Sequence, residues 1–271
     1  MLPTISLGSD PVTRLIIGGN PFSGNSHISS ELDEAMEDYF TTETIKATLR
    51  QCEAAGINTM QVRGDRHMLR MLREYRLEGG RMHWIAQTAP EMVSFEGNLH
   101  QILKAEPTAI YHHGTMTDQL FLAGEYDQII HRLEIMQNTG VPVGLGTHIP
   151  EVIDFVESNC LSIDFYMCSV HNLSKVQRVS SAVTGQSNTD EPFDEADRKR
   201  MYEAVRFTDK PCLVFKILGA GRRCQSTETV RQAFAEALAN IKPSDGLVVG
   251  MYPKDKDQVA ENAAIVRELM T

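Results

Sequence analysis

Tyr111-His112-His113-Gly114, Gly144-Leu145-Gly146-Thr147-His148 and Cys168-Ser169-Val170-His171-Asn172 decide how this sequence is read. Each segment closes a short run rich in β-branched or aromatic residues, the composition of a strand. Helical patterns lie between the runs. Three successive strands therefore end in histidine. If they are parallel neighbours, their histidines gather at one rim of a sheet or barrel.

Outward from that stretch the alternation continues in both directions. Arg14–Gly19, Ile57–Val62 and Met82–Ala86 read as the first three strands. Thr108–His113, Val141–Leu145 and Ile163–Met167 are the fourth, fifth and sixth. Cys212–Lys216 and Leu247–Gly250 are the seventh and eighth. Apolar residues at helical spacing fall between them, as with Ile45, Leu49 and Cys52. The helical segment after the fourth strand is read as Leu120–Gln137.

This order predicts an α/β chain folded as a single (β/α)8 TIM barrel over residues 1–271. A doubly wound open sheet would open on a GxGxxG fingerprint. Gly18-Gly19-Asn20-Pro21 does not match it. Two long polar loops, at about 20–41 and 173–194, follow strands one and six. Both would sit at the C-terminal face, where barrel chemistry is found, and loops of that length commonly act as lids.

The net charge is −10, without a basic patch. Phosphate backbones would be repelled, which argues against nucleic acid as a partner. No run of about 18 apolar residues suggests a membrane span. The N-terminus lacks the basic and apolar regions of a signal peptide. The five cysteines are irregularly spaced and read as reduced thiols. These features point to the cytoplasm and a small-molecule substrate, and leave the oligomeric state open.

Imidazole is a common metal ligand, and a catalytic zinc takes three protein ligands plus an open position. His148, His171 and one of His112 and His113 would supply three, with Cys168 as a further ligand on an inward face. The cofactor expected on this reading is a divalent metal, zinc first. The competing reading is a metal-free polar pocket. Lys216, closing the seventh strand, is a candidate base or nucleophile. Gln61 and Arg63 share a strand face and are candidates to orient a substrate carboxylate, phosphate or sugar hydroxyl. Asp65 is a candidate base or ligand. The bland alternatives are a surface lysine and a solvated Arg63-Gly64-Asp65 turn. His27 and His67 read as solvated.

The segments Leu15-Ile16-Ile17-Gly18-Gly19-Asn20-Pro21, Ala55-Gly56-Ile57-Asn58-Thr59, Ile85-Ala86-Gln87-Thr88 and His171-Asn172-Leu173-Ser174 occur in an order that resembles the aldo-keto reductase superfamily. The resemblance runs over nearly the whole chain. It implies the barrel, an NADP-type cofactor and an Asp, Tyr, Lys, His tetrad. Gln61 stands in the aspartate's place, and Gln87 or Thr88 in the lysine's. No tyrosine follows at the implied interval, and only His112 or His113 matches the histidine. Thr147-His148 and Cys168 replace the residues implied to hold nicotinamide. Gln258 and Asn262 match the adenine end and would serve only if a nucleotide binds.

The fold therefore carries over and the hydride chemistry does not. The expected function is a non-redox hydrolase, lyase or isomerase acting on a small polar carbonyl or sugar-like substrate. Its alternatives are a divergent NADP-dependent oxidoreductase and a non-catalytic ligand-binding barrel.

Overall fold

The computed structural model describes residues 2–176, 179–189 and 191–270. Positions 177, 178 and 190 of the second lid loop, and both chain ends, lie outside the described residues.

Two short strands, β1 (Thr4–Leu7) and β2 (Asp10–Thr13), pair antiparallel as a hairpin. The barrel proper begins with β3 (Leu15–Gly18). The first lid loop carries α1 (Ser30–Tyr39), and α2 (Thr42–Ala54) follows. Then come β4 (Thr59–Arg63), α3 (Arg66–Leu77), β5 (His83–Gln87), α4 (Phe95–Leu103) and β6 (Ala109–His112). Two helices, α5 (Gly114–Leu122) and α6 (Tyr126–Gln137), precede β7 (Val143–Thr147). Next are α7 (Pro150–Ser158), β8 (Phe165–Ser169), the one-turn α8 (Ser181–Thr184) and α9 (Ala196–Phe207). The chain ends with β9 (Cys212–Phe215), α10 (Thr227–Asn240), β10 (Gly246–Gly250) and α11 (Gln258–Leu269).

Strands β3 to β10 form a closed parallel barrel in chain order, with β10 returning to β3. All eight expected strands are present, and the (β/α)8 fold is the one read from the sequence. Its interior follows the period-two alternation of strands. Ile16, Ile85, Phe165, Met167 and Leu213 point inward. Their neighbours Ile17, Trp84, Tyr166, Cys168 and Val214 point outward under the helices. Ile5, Leu7 and Val12 of the hairpin pack into the same inner cluster, so the hairpin plugs the barrel's base. The opposite, C-terminal mouth remains for function.

The region read as one helix from Leu120 is two. Gly124, at φ +72°, breaks it. The earlier of the two, α5, starts immediately after β6. A Cβ on Gly146 of β7 would come within 2.9 Å of the Gly114 nitrogen and the His112 carbonyl. Glycine at 146 thus lets the start of α5 lie against β7, which sets the next site.

Among the described residues, no helix is long and apolar enough to cross a membrane.

Candidate active site

The strand ends surround a cavity of about 350 Å³. Its floor and walls include Tyr111, Met167, Phe215 and Val248; its rim includes Arg63, His113, His148 and Lys216. The lid loops contribute His27, Ser181 and Asn188.

His148 follows β7 and is 5% exposed. Its Nδ1 lies 2.7 Å from Oδ2 of Asp118, a residue one turn into α5 and 1% exposed. The His148 backbone N–H donates to the same carboxylate. Thr147 and Ser174 hydroxyls donate to it as well, each at 2.6 Å. Asp118 accepts four donors, as a buried carboxylate must to keep its charge. Nδ1–H donation to Asp118 fixes the neutral ring as the tautomer with its lone pair on Nε2. A carboxylate behind a histidine also stabilises the imidazolium once it forms. Asp118 was not anticipated from the sequence. Its surroundings, Thr115-Met116-Thr117-Asp118-Gln119-Leu120, give an aspartate there no motif.

His112 and His113 divide as strand alternation requires. His113 faces the cavity, its backbone N–H held by Thr88 Oγ1 at 3.0 Å. His112 points out under the helices. Its Nδ1 donates to Thr117 Oγ1 at 2.8 Å and its Nε2 accepts from Arg132 at 3.1 Å. Burial, with Arg132 adding to it, pushes the His112 pKa down to about 3.

His171 also lies outside the cavity. Its Nδ1 donates to the Asp194 carbonyl at 3.2 Å, and Arg198 Nη1 stands 3.4 Å from Nε2. Burial, then Arg198, lowers its pKa to about 4. Cys168 corrects a second expectation. It faces outward, not inward, beside Cys212, and burial raises its thiol well above the ordinary range. The expected three-histidine centre is therefore not assembled, because His112, His171 and Cys168 lie behind the barrel wall. Among the described residues no three His, Cys, Asp or Glu side chains are grouped to hold an ion. The donor set does not fit a catalytic zinc.

Gln61 and Arg63 do share an inward face and line the cavity. Asp65 does not reach it. Its Oδ1 caps α3 through the Met68 N–H at 2.9 Å, and its Oδ2 pairs with Arg63 Nε at 2.9 Å.

Lys216 lines the cavity with a left-handed backbone, φ +62°. Such a conformation costs a non-glycine residue about 1 kcal/mol or more. Its Nζ donates to His27 Nε2 at 2.9 Å, and His27 Nδ1 donates to Glu191 at 2.5 Å. His27, read as solvated, is thus the joint between both lid loops and β9. Phe193 completes the clasp: Lys216 Nζ lies 5.7 Å and the Arg222 guanidinium 3.9 Å from its ring.

The resemblance also assigns places to the tetrad at the strand ends and to the adenine end after the eighth strand. Gln61 and Gln87, both lining the cavity, are amides where the resemblance implies an acid and a lysine. At the adenine end Gln258 lines the cavity and uses Oε1 to accept from the Tyr252 N–H at 2.9 Å. Asn262 is buried in α11, away from the cavity.

No protein-family model matches the sequence, and no curated protein matches it. Solved structures do match. The glycerol dehydrogenase of Gluconobacter oxydans superposes with a TM-score of 0.59 at 10% identity, covering 98% of this chain and 94% of its own. The aldo-keto reductase of Bacillus halodurans, in its holo form, gives 0.60 at 10% identity, over 99% and 96%. A dihydropteroate synthase from Xanthomonas albilineans gives 0.57 at 11% identity, over 100% and 97%. At such identities the likeness is one of fold, a full-length closed barrel of eight parallel strands.

Proposed function

We propose that this chain is an enzyme that transfers a proton on a small polar carbonyl or sugar-like substrate, without hydride transfer. His148 is the base and Asp118 holds it. The carrying observation is the 2.7 Å Asp118–His148 contact at the wall of the barrel's main cavity. In the reaction, Nε2 takes a proton from the carbon next to the carbonyl. The electron pair moves into the carbonyl, giving an enediol or enediolate. His113, on the neighbouring strand end, hydrogen-bonds that oxygen. Where the deprotonated carbon carries a hydroxyl, that hydroxyl's proton passes to the former carbonyl oxygen, and return of the first proton to the former carbonyl carbon leaves the new carbonyl and completes an isomerisation. Positioned acid–base groups of this kind contribute about 10²–10⁴-fold. Support also comes from the fold, since the solved neighbours named above are enzymes with comparable barrels.

The test is proton exchange. Hydroxyacetone, aldoses and sugar acids are incubated with the protein in D2O, and loss of the proton next to the carbonyl is followed by NMR. Exchange with at least one of them, abolished in His148→Asn, is the expected result. Exchange that survives His148→Asn, or no exchange but carbonyl-dependent oxidation of NADPH, overturns it. Binding of these compounds without any turnover would favour the ligand-binding barrel instead.

A further inference from the structure

Arg63, Gln87 and Tyr111 sit on three consecutive strands, β4, β5 and β6, in one register row. Arg63 pairs with Gln87 and Gln87 with Tyr111. All three line the cavity, as does Gln61, two residues below Arg63. The row is a strip of hydrogen-bond donors: a guanidinium, an amide and a phenol. Tyr111 is 2% exposed and Gln61 8%, yet the Tyr111 hydroxyl and Gln61 amide have no protein hydrogen-bond partner among the described residues. Both polar ends open onto the cavity and not onto protein, so they are placed to hydrogen-bond what the cavity takes in.

Charge decides what that is. The chain carries −10 overall, but no aspartate or glutamate is among the described residues lining the cavity. Arg63 on β4 and Lys216 after β9 both line it. Arg63 is braced from behind. Its Nε meets Asp65 at 2.9 Å and Glu91 at 3.1 Å, and neither acid lines the cavity. Both contacts use Nε, so the paired Nη atoms keep the geometry that binds an oxyanion in two parallel hydrogen bonds. Asp65 spends its other oxygen on the start of α3.

We infer that the substrate is an anion, and that the Arg63–Gln87–Tyr111 row binds its carboxylate or phosphate group. The inference rests on the proton-transfer reading for the word substrate, but the site itself needs only binding. An oxyanion at the row directs the rest of a short molecule toward His113 and His148. The three donors satisfy its oxygens, and the carboxylate-free wall avoids repelling it. A neutral polyol of the same size would lose the charge-assisted part of that binding.

Calorimetric titration tests this on the intact protein with sodium glycerate, inorganic phosphate and glycerol. Glycerate or phosphate binding, weakened by added salt, with glycerol at least about tenfold weaker, is expected. The better of the two anions tells a carboxylate substrate from a phosphorylated one. Arg63→Gln should lower its affinity at least about tenfold. If Arg63→Gln does not fold, Gln87→Leu and Tyr111→Phe must each weaken binding severalfold. Asp118→Asn should leave anion binding within twofold, so that lost exchange with retained binding separates this site from the base. Equal binding of glycerol, no anion binding at millimolar concentration, or undiminished binding in the row variants overturns the inference.

Discussion

His148 and His171 follow neighbouring strands, β7 and β8, and both are buried at the same rim. Their partners differ in sign. His148 is backed by the Asp118 carboxylate and lines the cavity. His171 is backed by Arg198 and a carbonyl, and lies behind the wall. His112 repeats the second pattern with Arg132. A carboxylate favours an imidazole that gains a proton; an arginine keeps it neutral. Residue type at a strand end therefore does not make a site. The neighbour's charge and the side of the wall do.

The largest effect should come from exchanging those partners' influence. Asp118→Asn keeps the shape of the carboxylate but withdraws its charge and can present the wrong tautomer to His148. Solvent exchange catalysed by the protein should fall about 10²–10⁴-fold. His171→Asn should leave the exchange rate within about threefold and lower the melting temperature instead. Equal losses of exchange in the two variants would break the comparison.

Next in size is Arg198→Met. Arg198 is 3% exposed and ties Glu236 at 2.8 Å, the Ile217 carbonyl at 3.2 Å and His171. Removing one partner from a buried ion pair costs about 3–5 kcal/mol, and Glu236 keeps some solvent, so about 2–3 kcal/mol of stability should be lost. Urea unfolding measures it. A loss below about 0.5 kcal/mol would mean the arginine-backed corner is not structural.

The barrel itself was legible because parallel strands buried on both faces leave apolar runs, and glycines close the helices between them. Chain-local signals carry that much. The hairpin β1–β2 was missed because Thr4–Leu7 and Asp10–Thr13 are only four residues each and join through Gly8 at φ +60°. The site was half legible. Alternation told that His112 and His113 must part, and placed Gln61 with Arg63. It misjudged Cys168, because which alternate face is inward depends on the barrel's registration and not on the strand's own sequence. Asp118 was invisible for a different reason. It reaches His148 only because Gly146 and Gly114 let α5 lie against β7, a contact across strands that no spacing reveals. His27 meets Lys216 across 189 positions of the chain, and no local pattern announces that either.

Acid offers a third test. His112 is neutral when folded, with a pKa of about 3 against about 6.5 in the unfolded chain. Below 6.5 the unfolded state takes up the proton and the folded state does not. The contribution is thus complete above pH 6.5 and is lost progressively as pH falls toward 3. At pH 5 the loss should be about 2 kcal/mol from His112 alone, with His171 acting in the same direction. Replacing His112 by glutamine should flatten that part of the stability profile. An unchanged acid slope in His112→Gln would show that the arginine-backed histidines do not set it.

The smallest effect probes how finely the carboxylate-backed corner is held. Ser174 belongs to the lid side of the chain, just after β8, and its hydroxyl donates to Asp118 Oδ2 at 2.6 Å. That oxygen is also the one facing His148 Nδ1. In Ser174→Ala, Asp118 keeps Thr147 and the His148 backbone, so the carboxylate stays charged but loses one restraint on its direction. A single hydrogen bond to a charged group is worth about 1.5–3 kcal/mol when simply deleted, and less where water can replace it. Exchange should therefore fall about three- to tenfold, well short of the Asp118→Asn loss, with substrate-analogue binding unchanged. A fall as deep as that of Asp118→Asn would make the lid serine part of the proton-handling unit and extend the dyad to three residues. No fall at all would mean that α5, Thr147 and the His148 backbone orient Asp118 without the lid serine.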